Sequence, residues 1–446
     1  MSVDNQGWIG GFWKSITSRC QTLRTAWMKD AVKSRRQRRS GLSNMATLEQ
    51  RTLLAAFVVN SAADNTTADD GLTTLREAIA LANANAGADT ITFGNGAGVG
   101  GTNFTDATPD TIALSLGQMS ITDSVTITGR GATTTIIDAQ QNSRVFDITN
   151  TAGNVTIESL ALKNGRTTGS GTDFADPSFS GGAIRSRSLG TLAVSRLSLT
   201  NNSTAGNNAF GGAIFSERGA VSIQLSTVSG NSTAGQLSGG GAIASRYADI
   251  TVNQSQLTSN STTGMSSSGG SIWSSAGRVL ITASTLSGNS TSGNSSNGGA
   301  VFSANGGLTV VQSTLSGNTT HGSTSHGGAI YARTSLKIHQ STISTNSTLG
   351  ESSDGGGVFG IAGYMKVLNS TITNNAATGR GGGIGSLAES ITITSSIVAG
   401  NTDNGTAPDF QKSGDYLKLN YSLIGKATGT GRLPSVAWIR ITMETT

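Results

Sequence analysis

The chain has 446 residues, of which 35% are apolar and 12% charged, with 61 Gly and only four Pro. That balance excludes a highly charged disordered chain and favours short strands joined by many tight turns. The formal charge of +5 is local, because residues 1–51 hold ten Lys/Arg against three Asp/Glu and the remainder is slightly acidic, so no basic nucleic-acid groove is expected. The one cysteine, Cys20, lies in that basic start, which excludes disulfides and cysteine metal sites from the rest.

Residues 1–59 are predicted to be a basic leader for export, disordered or removed, with Met28 as a second candidate start. Arg35 to Arg39 is followed by Leu48-Glu49-Gln50-Arg51-Thr52-Leu53-Leu54 and a short apolar stretch. This segment resembles the Leu-Glu-x-Arg-x-Leu-Leu leader of large exported bacterial surface proteins. No run reaches the roughly 18 apolar residues of a membrane span.

Residues 60–93 are predicted to form a capping module with a helix over about 74–85. Thr74-Leu75-Arg76-Glu77 has the capping-box spacing, Leu75, Ala78, Ile79 and Ala82 follow helical periodicity, and Asn85-Ala86-Gly87 stops the helix. A helix at that place covers the open core and the strand edges at the start of a solenoid. Leu75-Arg76-Glu77-Ala78-Ile79 and Asn83-Ala84 resemble the Cys-Ser-Leu-Arg-Glu-Ala module that precedes bacterial β-helix repeats. Thr73 and Thr74 replace the module's Cys and Ser. The resemblance implies export rather than an activity.

Residues 94–180 read as irregular first coils, with alternating runs such as Ile112/Leu114/Leu116 and Val155/Ile157, and a Gly/Thr/Asp-rich loop from Gly165 to Ser180. Residues 181–425 are a regular array. Its best ruler is the asparagine at Asn202, Asn231, Asn260, Asn289, Asn318, Asn346 and Asn375, a step of about 29 residues, with a looser copy at Asn401. Three apolar columns align: Ile184 to Ile384, the Val221/Ile223 pair and its copies, and Leu199 to Val398. Units this short cannot close alone; they bury their apolar faces by stacking. The fold class is therefore all-β, a right-handed parallel β-helix with three strands per coil and an N-terminal capping helix. The asparagines, and the serines at Ser226 and its copies, are expected to be structural ladders, Asn also tolerating the left-handed turn conformation. Residues 426–446 fit no repeat and point to a truncated tail.

The repeat phrase Gly-Gly-Ala-Ile, an aromatic, then apolar-x-x-Asn resembles the repeat pair of polymorphic outer-membrane (autotransporter-type) proteins, with Leu, Val or Ile at the family's Phe. That resemblance implies a cell-surface β-helix with adhesive roles.

Candidate chemistry is sparse. Phe215, Trp273, Phe302, Tyr331 and Phe359 follow the inward residue of each coil, with Arg187, Arg246 and Arg333 two positions on. This outward stripe could stack on sugars or a partner; the competing reading is an aromatic stack between coils. Asp173 and Asp176 sit in the long loop near the array's start, and they read as solvated loop residues rather than a catalytic dyad. His321 and His326 flank a turn without a third metal ligand in view. The column beginning at Thr204 raises an ice-binding idea, which the interrupting loops oppose. The function expected is a non-enzymatic, exported β-helix with an adhesive, glycan-binding or envelope role. Its partners would be polysaccharide or another surface protein, with no cofactor, metal or nucleic acid. A polysaccharide lyase or glycoside hydrolase of the pectin-lyase-like superfamily is the alternative.

Overall fold

The computed structural model describes residues 54–67, 70–149, 151–173, 175–405, 408–413, 416–429 and 440–441. Of the expected leader 1–59, residues 1–53 lie outside the described residues. Ala56–Val59 is not a disordered end but a strand paired with Asp89–Phe93, because its apolar residues extend the first coil. Most of the tail after residue 429 also lies outside the described residues.

Every pairing between neighbouring strands is parallel, and each strand pairs with its counterpart one coil away, as in Val221↔Ile250↔Val279. Four ladders result. Sheet I has 13 strands, from Ala56–Val59 to Tyr416–Asn420, and sheet II also has 13, beginning at Asp110–Ala113. Sheet III has 9 two-residue strands from Arg166–Thr167 to Thr402–Asp403, and sheet IV has 12, beginning at Met119–Ile121. One coil runs through sheet IV (Ile184–Ser186), sheet I (Leu192–Ser195), sheet II (Ser198–Thr200) and sheet III (Ser203–Thr204). The chain is a parallel β-helix. Three faces are those the apolar columns foretold. The fourth ladder is the two-residue strand after each asparagine, Ser-Thr in most coils but Thr319-Thr320, Ala376-Ala377 and Thr402-Asp403 in others, too short to show a period of two.

The core is one continuous pillar. Ile214, Ile223 and Val228 of one coil lie under Ile243, Val252 and Leu257 of the next, all at 0% exposure. Branched side chains suit this because each packs against its copy at the inter-strand spacing of about 4.8 Å.

Corners are fixed by polar ladders. Asn202 donates from its backbone N (2.9 Å) and its Nδ2 (3.0 Å) to Asn231 Oδ1, and Asn231 does the same to Asn260. The ladder asparagines themselves are not left-handed. That conformation falls on the residue just before each, such as Asn201, Gly230 and Ser259, which is free to turn because the ladder residue is committed to its amide bonds. The column from Thr204 points inward, and its hydroxyl donates to Ala209 O at 2.7 Å. The Gly-Gly pair needs glycine twice: Gly211 sits at φ 68, and a Cβ on Gly212 would lie 2.1 Å from Gly241 O.

Helix α1 (Leu75–Ala84) buries Leu75, Ala78, Ile79 and Ala82 against the first coil. Thr74 Oγ1 accepts from Glu77 N at 3.2 Å while Thr74 N donates to Glu77 Oε2 at 2.8 Å. Arg76 grips Asp64, just before the helix, at 2.7 Å and pins the helix to a later segment by donating to Gly117 O at 2.7 Å.

Candidate functional site

The aromatic column belongs to the outer face of sheet IV, in register through Asp147, Arg185, Phe215, Ala244, Trp273, Phe302, Tyr331 and Phe359. It is not an open stripe. Phe215 is 0% exposed, Phe359 4%, and Trp273 and Tyr331 8% each; Phe302 is half-buried. The segment joining sheet III to sheet IV folds over this face. Phe210, from that segment, packs tilted against Trp273 at 4.7 Å, next to the rung where Ala244 leaves no ring of its own. A Cβ on Gly239 would lie 2.5 Å from Trp273 Cδ1, so glycine makes room for the indole. Phe302, Tyr331 and Phe359 then stack at 5.3 and 5.7 Å, and His326 lies 4.6 Å from the Phe359 ring. The stripe is a second small core, shaped by ring packing between coils.

The arginines divide. Arg246 is 2% exposed; it lies over the Phe215 ring at 5.6 Å and donates to Ala175 O at 2.9 Å. Arg187 is half-buried and reaches Asp147 at 3.3 Å. Arg333 alone of the three is exposed. Arg185 grips Asp147 through two bonds of 2.8 Å and donates to Ser178 O at 2.8 Å, while Arg144 donates to Ser178 O and Ser180 O. These donors strap the Gly/Thr/Asp-rich loop over the start of sheet IV. Burial, with Arg185 and Arg187 nearby, pushes the Arg144 guanidinium down to about 10. Burial pushes the Asp147 carboxyl up, but the Arg185 bonds and the surrounding arginines outweigh it, and the net shift is downward. Asp173 and Asp176 brace that loop: Asp173 Oδ1 accepts from Ala175 N and Asp176 Oδ1 from Ser178 N. Both carboxylates are committed to backbone turns. His326 Nδ1 accepts from Asp354 N at 3.0 Å, and His321 Nδ1 lies against Thr291 O. Among the described residues no three His, Cys, Asp or Glu come together as a metal site.

The open feature is on sheet I. Its outer face carries two neighbouring columns, Asp249, Arg278, Gly307, Ser335, Tyr364 and Thr251, Leu280, Thr309, Lys337, Lys366. In the first column two tall side chains are followed by two short ones and then Tyr364. The result is a notch of about 400 Å³, walled by Arg278 and Tyr364 and floored by Leu280, Thr309 and Lys337. Asp249 holds Arg278 at 2.8 Å. Burial pushes the Asp249 carboxyl up, but the Arg278 side-chain and backbone bonds and its charge together outweigh it, and the net shift is downward. Lys337 Nζ and Lys366 Nζ lie 5.8 and 5.2 Å from the Tyr364 ring centroid. The sequence did carry a signal for this face: Tyr364-Met365-Lys366 and Tyr416-Leu417-Lys418 repeat a Tyr-x-Lys pattern whose ends share one side of a strand.

No protein-family model matches the chain, and no curated protein matches it. Among solved structures it is similar to the A-module of the Azotobacter vinelandii mannuronan C-5 epimerase AlgE6, at 11% identity and TM-score 0.35. That likeness covers 84% of this chain and 95% of the module, and at such distance it carries nothing about chemistry.

Proposed function

We propose that this protein is an exported β-helix that presents its outer faces as a glycan-binding, adhesive surface and works without turnover. The observation that carries this reading is the notch on sheet I between Arg278 and Tyr364, where a half-exposed ring, hydroxyls and cations meet at an open surface. Sugar recognition uses this combination: a ring face against an apolar pyranose face, with polar groups fixing orientation. Glycoside hydrolysis asks for two facing carboxylates, and the notch holds one, Asp249, already engaged by Arg278. Export is supported by the basic start and by the absence of cysteine after Cys20 in a fold stabilised by stacking. The decisive experiment incubates the whole protein with a polysaccharide panel and measures both retention and release of reducing or unsaturated ends. Retention without products is the expected result. Products that vanish on Lys337→Ala or Tyr364→Phe would replace this reading with a lyase. Fractionation of the producing cell tests export, with the protein expected outside the cytoplasm.

A further inference from the structure

We infer that the outward row Arg278, Lys337, Lys366 and Lys418 holds an anionic polysaccharide laid along the solenoid axis, with Tyr364 and Tyr416 as stacking steps. This rests on the glycan-binding reading above and specifies its ligand class.

The first argument is segregation. Between residues 60 and 446 there are six lysines, and Lys337, Lys366 and Lys418 occupy one outward column of one sheet, in register through Thr392. Elsewhere in that column stand Ala193, Ser222, Thr251, Leu280, Thr309 and Thr392, so an uncharged residue satisfies the fold there. The second argument is cost. Lys337 and Lys366 are direct neighbours on adjacent strands, where like charges oppose pairing. Among the described residues neither forms an ion pair; both lean on the Tyr364 ring instead. Stability gives no reason to keep two ammonium groups at one inter-strand spacing, whereas an anionic chain passing over both does. The third argument is geometry. Arg278, Lys337, Lys366 and Lys418 fall at the first, third, fourth and sixth of six successive strands, so the row extends over about 24 Å at about 4.8 Å per step. Tyr364 and Tyr416 share strands with Lys366 and Lys418, so each of those two steps offers a ring beside a cation. Tyr416 is 54% exposed and Tyr364 37%.

The row favours a glycan over a nucleic acid. Nucleic-acid binding draws on a broad positive field, and the chain after residue 51 is slightly acidic. Here three lysines share one column, with the Arg278–Asp249 pair in the column beside it, and most other outward residues of the lysine column carry hydroxyls.

The test titrates the whole protein with polygalacturonate, dextran sulfate, a panel of neutral polysaccharides and poly(U). Both acidic glycans are the arms for carboxylate and sulfate, and binding of either, weakened by added salt, is expected. The triple variant Lys337→Gln/Lys366→Gln/Lys418→Gln should weaken it about tenfold, as three exposed ion pairs lost together would. The matching Lys→Arg triple should restore it, and Tyr364→Ala should weaken it without changing the salt slope. Equal binding by the wild type and the Gln triple overturns the inference, as does poly(U) binding as tight as polygalacturonate. If neutral and acidic glycans are held alike and the Gln triple changes neither, this inference falls and the glycan-binding reading stands. If no polysaccharide is held, both fall.

Discussion

Asp409 does for the last asparagine what the next asparagine does for the others. Asn401 donates from N (2.8 Å) and Nδ2 (2.9 Å) to Asp409 Oδ1, and Lys426 N donates to Oδ2 at 2.7 Å. Asp409→Ala should therefore cost about 1–3 kcal/mol for each buried donor left alone, while Asp409→Asn, whose amide oxygen keeps both Asn401 bonds and whose Nδ2 loses only the Lys426 one, should cost less. Urea unfolding midpoints of the two variants check this. The ladder asparagines were legible because their spacing repeats. Asp409 was not, since it closes the series by chemistry rather than by period. His326 takes part in a second ladder, in which Asn297 Oδ1 accepts from His326 N and His326 Nδ1 accepts from Asp354 N. Burial pushes the imidazole down, opposed by the Asp354 charge. A base whose folded value is depressed adds stability above the unfolded value of about 6.5, and that stability is lost as pH falls through the folded value. Melting temperature should drop more steeply on acidification below about pH 6.5 in the wild type than in His326→Asn, whose amide accepts without titrating.

At the scale of elements, the outer column of sheet IV shows where sequence patterning stops. Alternation correctly separates inward Ile272 from outward Trp273, but it does not say what lies over the outward side. The covering comes from the turn segment of another coil, whose small residues carry no apolar period. Trp273 is thus a packing residue: Trp273→Ala should destabilise by about 3–5 kcal/mol, read by thermal or urea denaturation, and should leave glycan retention by the folded protein unchanged. A specific loss of retention at unchanged stability would return the column to a binding role. The cap of α1 was fully legible, because a capping box is local. Its pin was not: Arg76 meets Asp64, Gly117 and Gln118, contacts that only the wound chain creates. Thr74→Val should cost about 1 kcal/mol, measured by unfolding, since it removes the acceptor for Glu77 N and leaves the helix start uncapped.

At the scale of the molecule, contacts are almost all between a coil and its two neighbours, so stability is expected to add coil by coil. Removal of residues 290–318, one full period of 29 between successive ladder asparagines, should leave a folded protein. Sheet register would be restored by Asn289 donating to Asn346. Circular dichroism should keep its β signature, with a lower unfolding enthalpy roughly in proportion to length. A collapse to an unfolded chain would mean that the coils are not interchangeable. The fold was readable because a period constrains every coil at once. The notch was not, because it arises where the period is broken by Gly307, Ser335 and Tyr364 in one column.

The asparagine ladder has a direction. In each step the earlier coil supplies both donors and the later coil the oxygen, from Asn202 through Asn375. A nascent chain that has wound as far as any one asparagine holds two unanswered hydrogens at its growing tip, and the next turn to emerge brings the atom that quiets them. Winding that begins at the amino end thus always meets its complement next, like a spool that takes thread from one side only.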